Sequence, residues 1–157
     1  MTPTRRHLIM PLMVVLLGSR LLPGTAHQAP CHRRHSCPSD HSAPIAKTWL
    51  DAHTRGVQVQ VLLDKSQRME KYSSANFLAN QGVPTMIDAD HAMAHNKVII
   101  IDGEMVITGP FNFTKSAQEK HAENVLIIRG PALAAQYTKN WASHRQHSQP
   151  YAGRGVR

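Results

Sequence analysis

The stretch from His95 to Asn112 limits what this chain can fold into more than any other. Val98-Ile99-Ile100-Ile101 is an unbroken β-branched run, and such a run suits a strand covered on both faces rather than one with a wet side. Asp102-Gly103 follows as a hairpin signal, with Met105 to Thr108 as the returning strand. A buried strand that turns back on itself implies a sheet covered on both faces and at least partly antiparallel.

The flanking sequence supplies that cover. A helix is expected from Ser42, a cap residue, with Pro44 in its first turn, Ile45, Trp49 and Leu50 on one face, and Gly56 as its stop. Val57, Val59 and Val61 alternate with Gln58 and Gln60 and run into Leu62-Leu63, a strand that ends at Asp64. Lys65 to Lys71 is a charged loop. Ser73 or Ser74 caps a short helix ended by Gly82, and Val83 to Ile87 is a short strand. Val125 to Ile128 reads as another buried strand. Pro131 to Trp141 reads as a closing helix, with Leu133, Tyr137 and Trp141 on one stripe. Together these predict a layered α/β domain with a mixed sheet over residues 42–147, and a frayed basic tail over 148–157.

Before residue 42 the composition changes. Arg5 and Arg6, the apolar run Leu8 to Leu17 and the small residues Gly24-Thr25-Ala26 have the layout of a cleaved signal peptide over 1–26. Pro11 and Arg20 interrupt a stretch too short to span a bilayer, so no integral membrane span is expected. Export to the periplasm or the exterior follows. Residues 27–41 are polar and aperiodic and read as a linker; Cys31 and Cys37 could close a small disulfide loop in an oxidising compartment. Nearby His32, His35 and His41 fit no established zinc spacing in a segment with so few apolar residues.

The chain carries 18 basic and 10 acidic residues, a formal charge of +8. Arg5, Arg6 and Arg20 lie before residue 27 and no acidic residue does, so the rest keeps 15 basic against 10 acidic. That balance suits a phosphate-bearing partner without choosing which.

His95 and Lys97, two apart on a predicted strand, project from one face. A two-residue turn at Gly103-Glu104 sets His95 opposite Asn112, and a shifted register sets it opposite Pro110 or Thr114. Either way an imidazole, an ammonium, an amide and Gly109, where a ligand can approach the backbone, gather at one end of the hairpin. An imidazole can attack phosphorus and hold it covalently, dividing one displacement into two. Lysine and amide groups can stabilise the phosphoryl oxygens.

His95-Asn96-Lys97-Val98-Ile99-Ile100-Ile101-Asp102, with Gly109-Pro110-Phe111-Asn112-Phe113-Thr114 and later Glu123-Asn124, resembles the signature of the phospholipase D superfamily. The likeness runs from about Ser42 to Tyr151 and is strongest to the short bacterial exported endonuclease branch, with one motif per chain. It implies a phospholipase D-like α-β-α domain in which His95, Lys97 and Asp102 form the catalytic motif. His95 would be nucleophile in one copy and general acid in the other, and Lys97, Asn112 and Gly109 would bind phosphate. Glu123 would orient a histidine, with Thr114 supporting the site from behind. Asp102, on the other strand face, is expected to fix the turn. One motif per chain implies a symmetric homodimer that unites two copies of His95, with no cofactor and no catalytic metal. His53, His91, His121 and His144 sit in no comparable motif and are read as surface residues.

Two departures follow. Pro110 stands where that branch commonly has serine, removing a hydroxyl and an N–H, and the opening strand–helix–strand of the domain is expected to be missing or replaced by residues 27–41. Three functions compete on this reading: a metal-independent nonspecific nuclease, a phospholipase D acting on phosphatidylcholine-type lipids, and an inactive, truncated nucleic-acid-binding relative.

Overall fold

A computed structural model describes residues 12–17 (backbone only), 43–69 and 73–154. The chain runs β1 (Leu12–Leu17), α1 (Ala43–Thr54), β2 (Gln58–Asp64), α2 (Ser66–Met69), α3 (Ser74–Asn80), β3 (Thr85–Asp88), β4 (Lys97–Ile101), β5 (Met105–Thr108), α4 (Lys115–Lys120), β6 (Leu126–Arg129), α5 (Pro131–His147) and β7 (Gln149–Pro150). The seven strands form one mixed sheet in the order β6-β5-β4-β1-β2-β3-β7.

β4 pairs antiparallel with β5 and parallel with β1. The β-branched run is dry on both sides because alternate side chains enter different cores. Ile99 joins Val59, Val61 and Leu63 of β2 beneath Trp49 of α1 and Leu78 of α3. Val98 and Ile100 join Leu62 and Val106 beneath Ala134 and Trp141 of α5. The layered α-β-α arrangement expected from the sequence is the one observed, and the Trp141 stripe covers its second face.

Local signals explain most boundaries. Ser73 caps α3 by accepting from the Asn76 N–H at 3.2 Å. Pro131 opens α5 in its first turn. Asp64 accepts from the Ser66 N–H at 2.9 Å and so starts α2 where a plain loop was expected.

Several expectations are corrected. The strand at 125–128 is not buried: β6 is a sheet edge, and Leu126 and Ile127 are 58% and 66% exposed. The tail is docked rather than frayed. Gln149 and Pro150 pair with Ile87 and Met86 as β7, and the Tyr151 hydroxyl donates to Asn76 Oδ1 at 2.6 Å. α5 also extends six residues past Trp141, to His147. Finally, where the opening strands were expected to be missing, the centre of the sheet is taken by Leu12–Leu17, inside the segment read as a signal peptide. Ser42, Cys31, Cys37 and the 27–41 linker lie outside the described residues. Among the described residues no helix is long and apolar enough to cross a membrane.

A docked tail predicts a measurable contribution from Tyr151. Tyr151→Phe should lower unfolding free energy by about 1 kcal/mol in urea titration, and no loss would mean the tail is not held.

Candidate active site

Lys97 is the first residue of β4, and its side chain is 7% exposed. His95, two residues earlier, lies in the loop before the strand and is exposed. The Lys97 ammonium lies 3.0 Å from Nε2 and 3.2 Å from Nδ1 of His95, and donates to the His95 carbonyl oxygen at 3.3 Å. Near-equal contact with both ring nitrogens leaves the imidazole tautomer unfixed by Lys97. Burial pushes the Lys97 amine below the usual lysine range, and the nearby negative charge of Glu123 opposes that shift. The expected gathering of His95 with Lys97 is therefore present, and the ammonium is anchored while the ring faces solvent.

The loop carrying His95 is fixed by a residue the sequence shows only as a strand end. Asp64 is buried at the end of β2, and its Oδ2 accepts from the Ala94 N–H at 2.8 Å. The residue before His95 is thus hydrogen-bonded to a carboxylate already fixed by Ser66. A run ending in an aspartate was the available signal, but its partner thirty residues on was not legible.

The other predicted residues divide. Asn112 is half-buried, and its Oδ1 is a buried acceptor without a hydrogen-bond partner among the described residues. Glu123 has the same condition at Oε2, while its Oε1 lies 3.2 Å from His121 Nδ1. Among the described residues, the histidine that Glu123 contacts is therefore His121. Thr114 caps α4, accepting from the Ala117 N–H at 3.1 Å, and the preceding Phe113 holds a left-handed φ of +45°. Gly109 (φ +148°) faces protein rather than an open approach: an added Cβ would meet the Asn124 carbonyl oxygen at 2.7 Å. That close passage sets the chain of Glu123-Asn124 against the end of β5.

Asp102 is not part of this assembly. It lies in the turn beyond β4 with φ +55°, exposed, and seven residues of extended chain place it about 20 Å from His95. Its role within the chain is to form the turn with Gly103 (φ +67°), closed by Glu104 N–H donating to the Ile101 carbonyl at 3.0 Å. Met105, not Val106, then pairs with Ile101. This extra residue corrects the expected register, whose continuation sets Phe111 rather than Asn112 opposite His95.

A second polar cluster stands behind the loop. Asp88 at the end of β3 is fully buried, and its Oδ2 lies 2.9 Å from His144 Nδ1, 3.1 Å from His91 Nδ1 and 3.4 Å from His147 Nε2. Burial would raise its carboxyl, but hydrogen bonds with His144, His91, His147 and the Asp90 backbone outweigh burial and draw it down from 3.8 to about 2. His91 and His144, read as surface residues, belong to this cluster.

The sequence family described as "Cardiolipin synthase, PLD-like domain" matches residues 36–145. This chain belongs to the phospholipase D superfamily. The phospholipase D of Rickettsia bellii is 46% identical over 101 residues, 64% of this chain and 50% of that protein. The mitochondrial cardiolipin hydrolase of Xenopus tropicalis is 30% identical over 120 residues, 76% of this chain and 55% of that protein. The crystal structure of Nuc, a phospholipase D family member from Salmonella typhimurium, superposes with a TM-score of 0.67 at 29% identity, covering 90% of this chain and 80% of that one. This superfamily member spans about half the length of the curated relatives it matches.

Two outcomes follow from the geometry. Gly109→Ala should destabilise the fold by roughly 1–3 kcal/mol, because the new Cβ meets backbone at a positive φ; an unchanged urea midpoint would remove the close-packing role. Glu123→Gln removes the charge that opposes desolvation, so the Lys97 amine should titrate at lower pH by NMR of labelled lysine. A midpoint that stays or rises would dissociate the two groups.

Proposed function

We propose that two copies of this chain form a phosphodiesterase working through a phosphohistidine, and that it acts on nucleic acid as an endonuclease of low sequence specificity needing no catalytic metal. The observation that carries the reading is the buried Lys97 ammonium set against the exposed ring of His95. A phosphate oxygen drawn to that ammonium brings phosphorus within reach of the imidazole.

In the first step a neutral His95 nitrogen attacks phosphorus, and a P–N bond forms as the P–O bond to the leaving group breaks. The protonated His95 of the second copy gives its proton to the departing oxygen. That same histidine, now neutral, takes a proton from water, whose oxygen displaces the first His95 and restores both rings. Lys97 and Asn112 hold the phosphoryl oxygens as charge shifts onto them. The Asn112 amide oxygen accepts no hydrogen bond among the described residues, so the side chain can turn without losing one at that atom. Pro110 adds neither a hydroxyl nor an N–H donor here, and the loss of one such donor slows a reaction by roughly a hundredfold.

The dimer is supported by the single His-x-Lys in the sequence and by the bare apolar edge of β6. Nucleic acid is supported by the charge of +8, which favours salt-dependent backbone binding, and by the likeness to Nuc. A second reading, lipid phosphodiester hydrolysis, is favoured by the names of the relatives, phospholipase D and mitochondrial cardiolipin hydrolase. Arg5, Arg6 and the apolar run support an exported location with the segment retained, since Leu12–Leu17 fills the centre of the sheet.

The test incubates the full chain with plasmid DNA, phosphatidylcholine vesicles and a chromogenic phosphodiester, in buffer without added divalent cations. Cleavage of DNA and not of lipid is expected, choline release selects the second reading, and DNA retention without turnover selects an inactive binding protein. His95→Ala should lower turnover roughly a thousandfold or more, and surviving activity would sink the mechanism. Light scattering should show a dimer; an active monomer would overturn the shared site.

A further inference from the structure

The cluster of Asp88, His91, His144 and His147 is not used by the chemistry at His95. His144 and His147 are three apart near the end of α5, so both face the same way. His91 comes from the loop between β3 and β4, and Asp88 ends β3. Three elements thus deliver four donor groups to one point, and their ligand atoms all lie within 4.8 Å of one another.

Hydrogen bonding alone is a poor account of this convergence. A carboxylate oxygen has two lone pairs, yet three imidazole nitrogens approach the same Oδ2 at 2.9, 3.1 and 3.4 Å. One imidazole would suffice to neutralise the carboxylate. The rings also crowd one another, with centroids 4.9, 5.2 and 5.5 Å apart. Asp88 lies opposite Asp64 in the parallel pairing of β2 and β3, and both are buried. Like charges set side by side in a sheet repel, so positive charge on the outer side of Asp88 is favoured.

The spacing is that of ligands around a small cation. Tetrahedral zinc bound at about 2.0–2.1 Å by nitrogen and oxygen separates its ligand atoms by about 3.3 Å. The three carboxylate–imidazole separations straddle that value. His91 and His147 are partly exposed, which leaves their rings free to turn and close the remaining gaps.

We propose that Asp88, His91, His144 and His147 bind one divalent transition-metal ion of the zinc type. Imidazole donors suit zinc, copper and nickel over magnesium or calcium. Four protein ligands with no open position mark a structural ion rather than a catalytic one. Bound there, it ties the end of α5 and the end of β3 to the loop that reaches His95 four residues after His91. It takes no part in cleavage of the phosphodiester, so its presence is independent of which substrate the enzyme uses.

The experiment uses the full chain, dialysed against metal-free buffer. Elemental analysis, competitive titration with zinc chloride against a chromophoric chelator, and thermal melts are compared for wild type and variants. One equivalent of zinc and a zinc-dependent rise in melting temperature are expected for wild type and for His95→Ala. His144→Ala/His147→Ala should abolish both. The gentler His147→Gln, at a partly exposed ring, should weaken binding by about tenfold or more while circular dichroism stays native. Cys31→Ser/Cys37→Ser should bind like wild type. Absence of bound zinc and of any melting shift in wild type would overturn the proposal. So would stoichiometric binding that survives His144→Ala/His147→Ala, or that disappears only with the cysteines.

Discussion

Placing a cation at the mouth of a strand that is dry on both faces constrains everything around it. Lys97 begins β4, and the residues that follow must fill two cores at once, so the ammonium can neither retreat along the strand nor swing freely into water. Burial disfavours its charge, and the negative charge of Glu123 offsets that. The hairpin, the close passage at Gly109 and the return of the chain through Glu123 are all needed to hold that balance. What results is a phosphate-attracting group whose position is set by the core rather than by the surface.

The exposed partner, His95, is held differently. The loop between β3 and β4 is fastened by two buried carboxylates that lie opposite each other at the ends of parallel strands. Asp88 takes its beginning through the Asp90 N–H and His91, and Asp64 takes its end through the Ala94 N–H. An imidazole that must both attack and release phosphorus can remain solvent-facing because its backbone is tethered on either side. The ends of parallel strands are where open α/β sheets commonly present ligand sites.

Much of this was legible in the residues. The β-branched run, the alternation of Val57 to Val61, the Ser73 cap and the Trp141 stripe each name an element by its own local physics. His95 and Lys97 could be paired from spacing alone. The failures share a cause, which is that they depend on partners distant in sequence. The hairpin register moved because Asp102 adopts a left-handed conformation and adds a residue. Val125 to Ile128 has the composition of a core strand but is an edge, a fact set by sheet order. The tail is held by Tyr151 meeting Asn76, and His144 and His147 acquire meaning only beside Asp88. Leu12 to Leu17 is the instructive case: an apolar run of that length satisfies both an export signal and a central strand, and composition cannot separate them.

The place of β1 has a further consequence in time. It separates β4 from β2, joining the half of the sheet that bears the hairpin to the half that bears β3 and β7. Both of its neighbours follow it in the chain, β2 after α1 and β4 only after α3 and β3 have been made. Its parallel pairing with β4 joins residues as far apart as Leu12 and Lys97, and closing so long a loop to a parallel neighbour is slow. Because Leu12 pairs with Lys97 itself, the final seating of the active-site lysine belongs to that long-range closure.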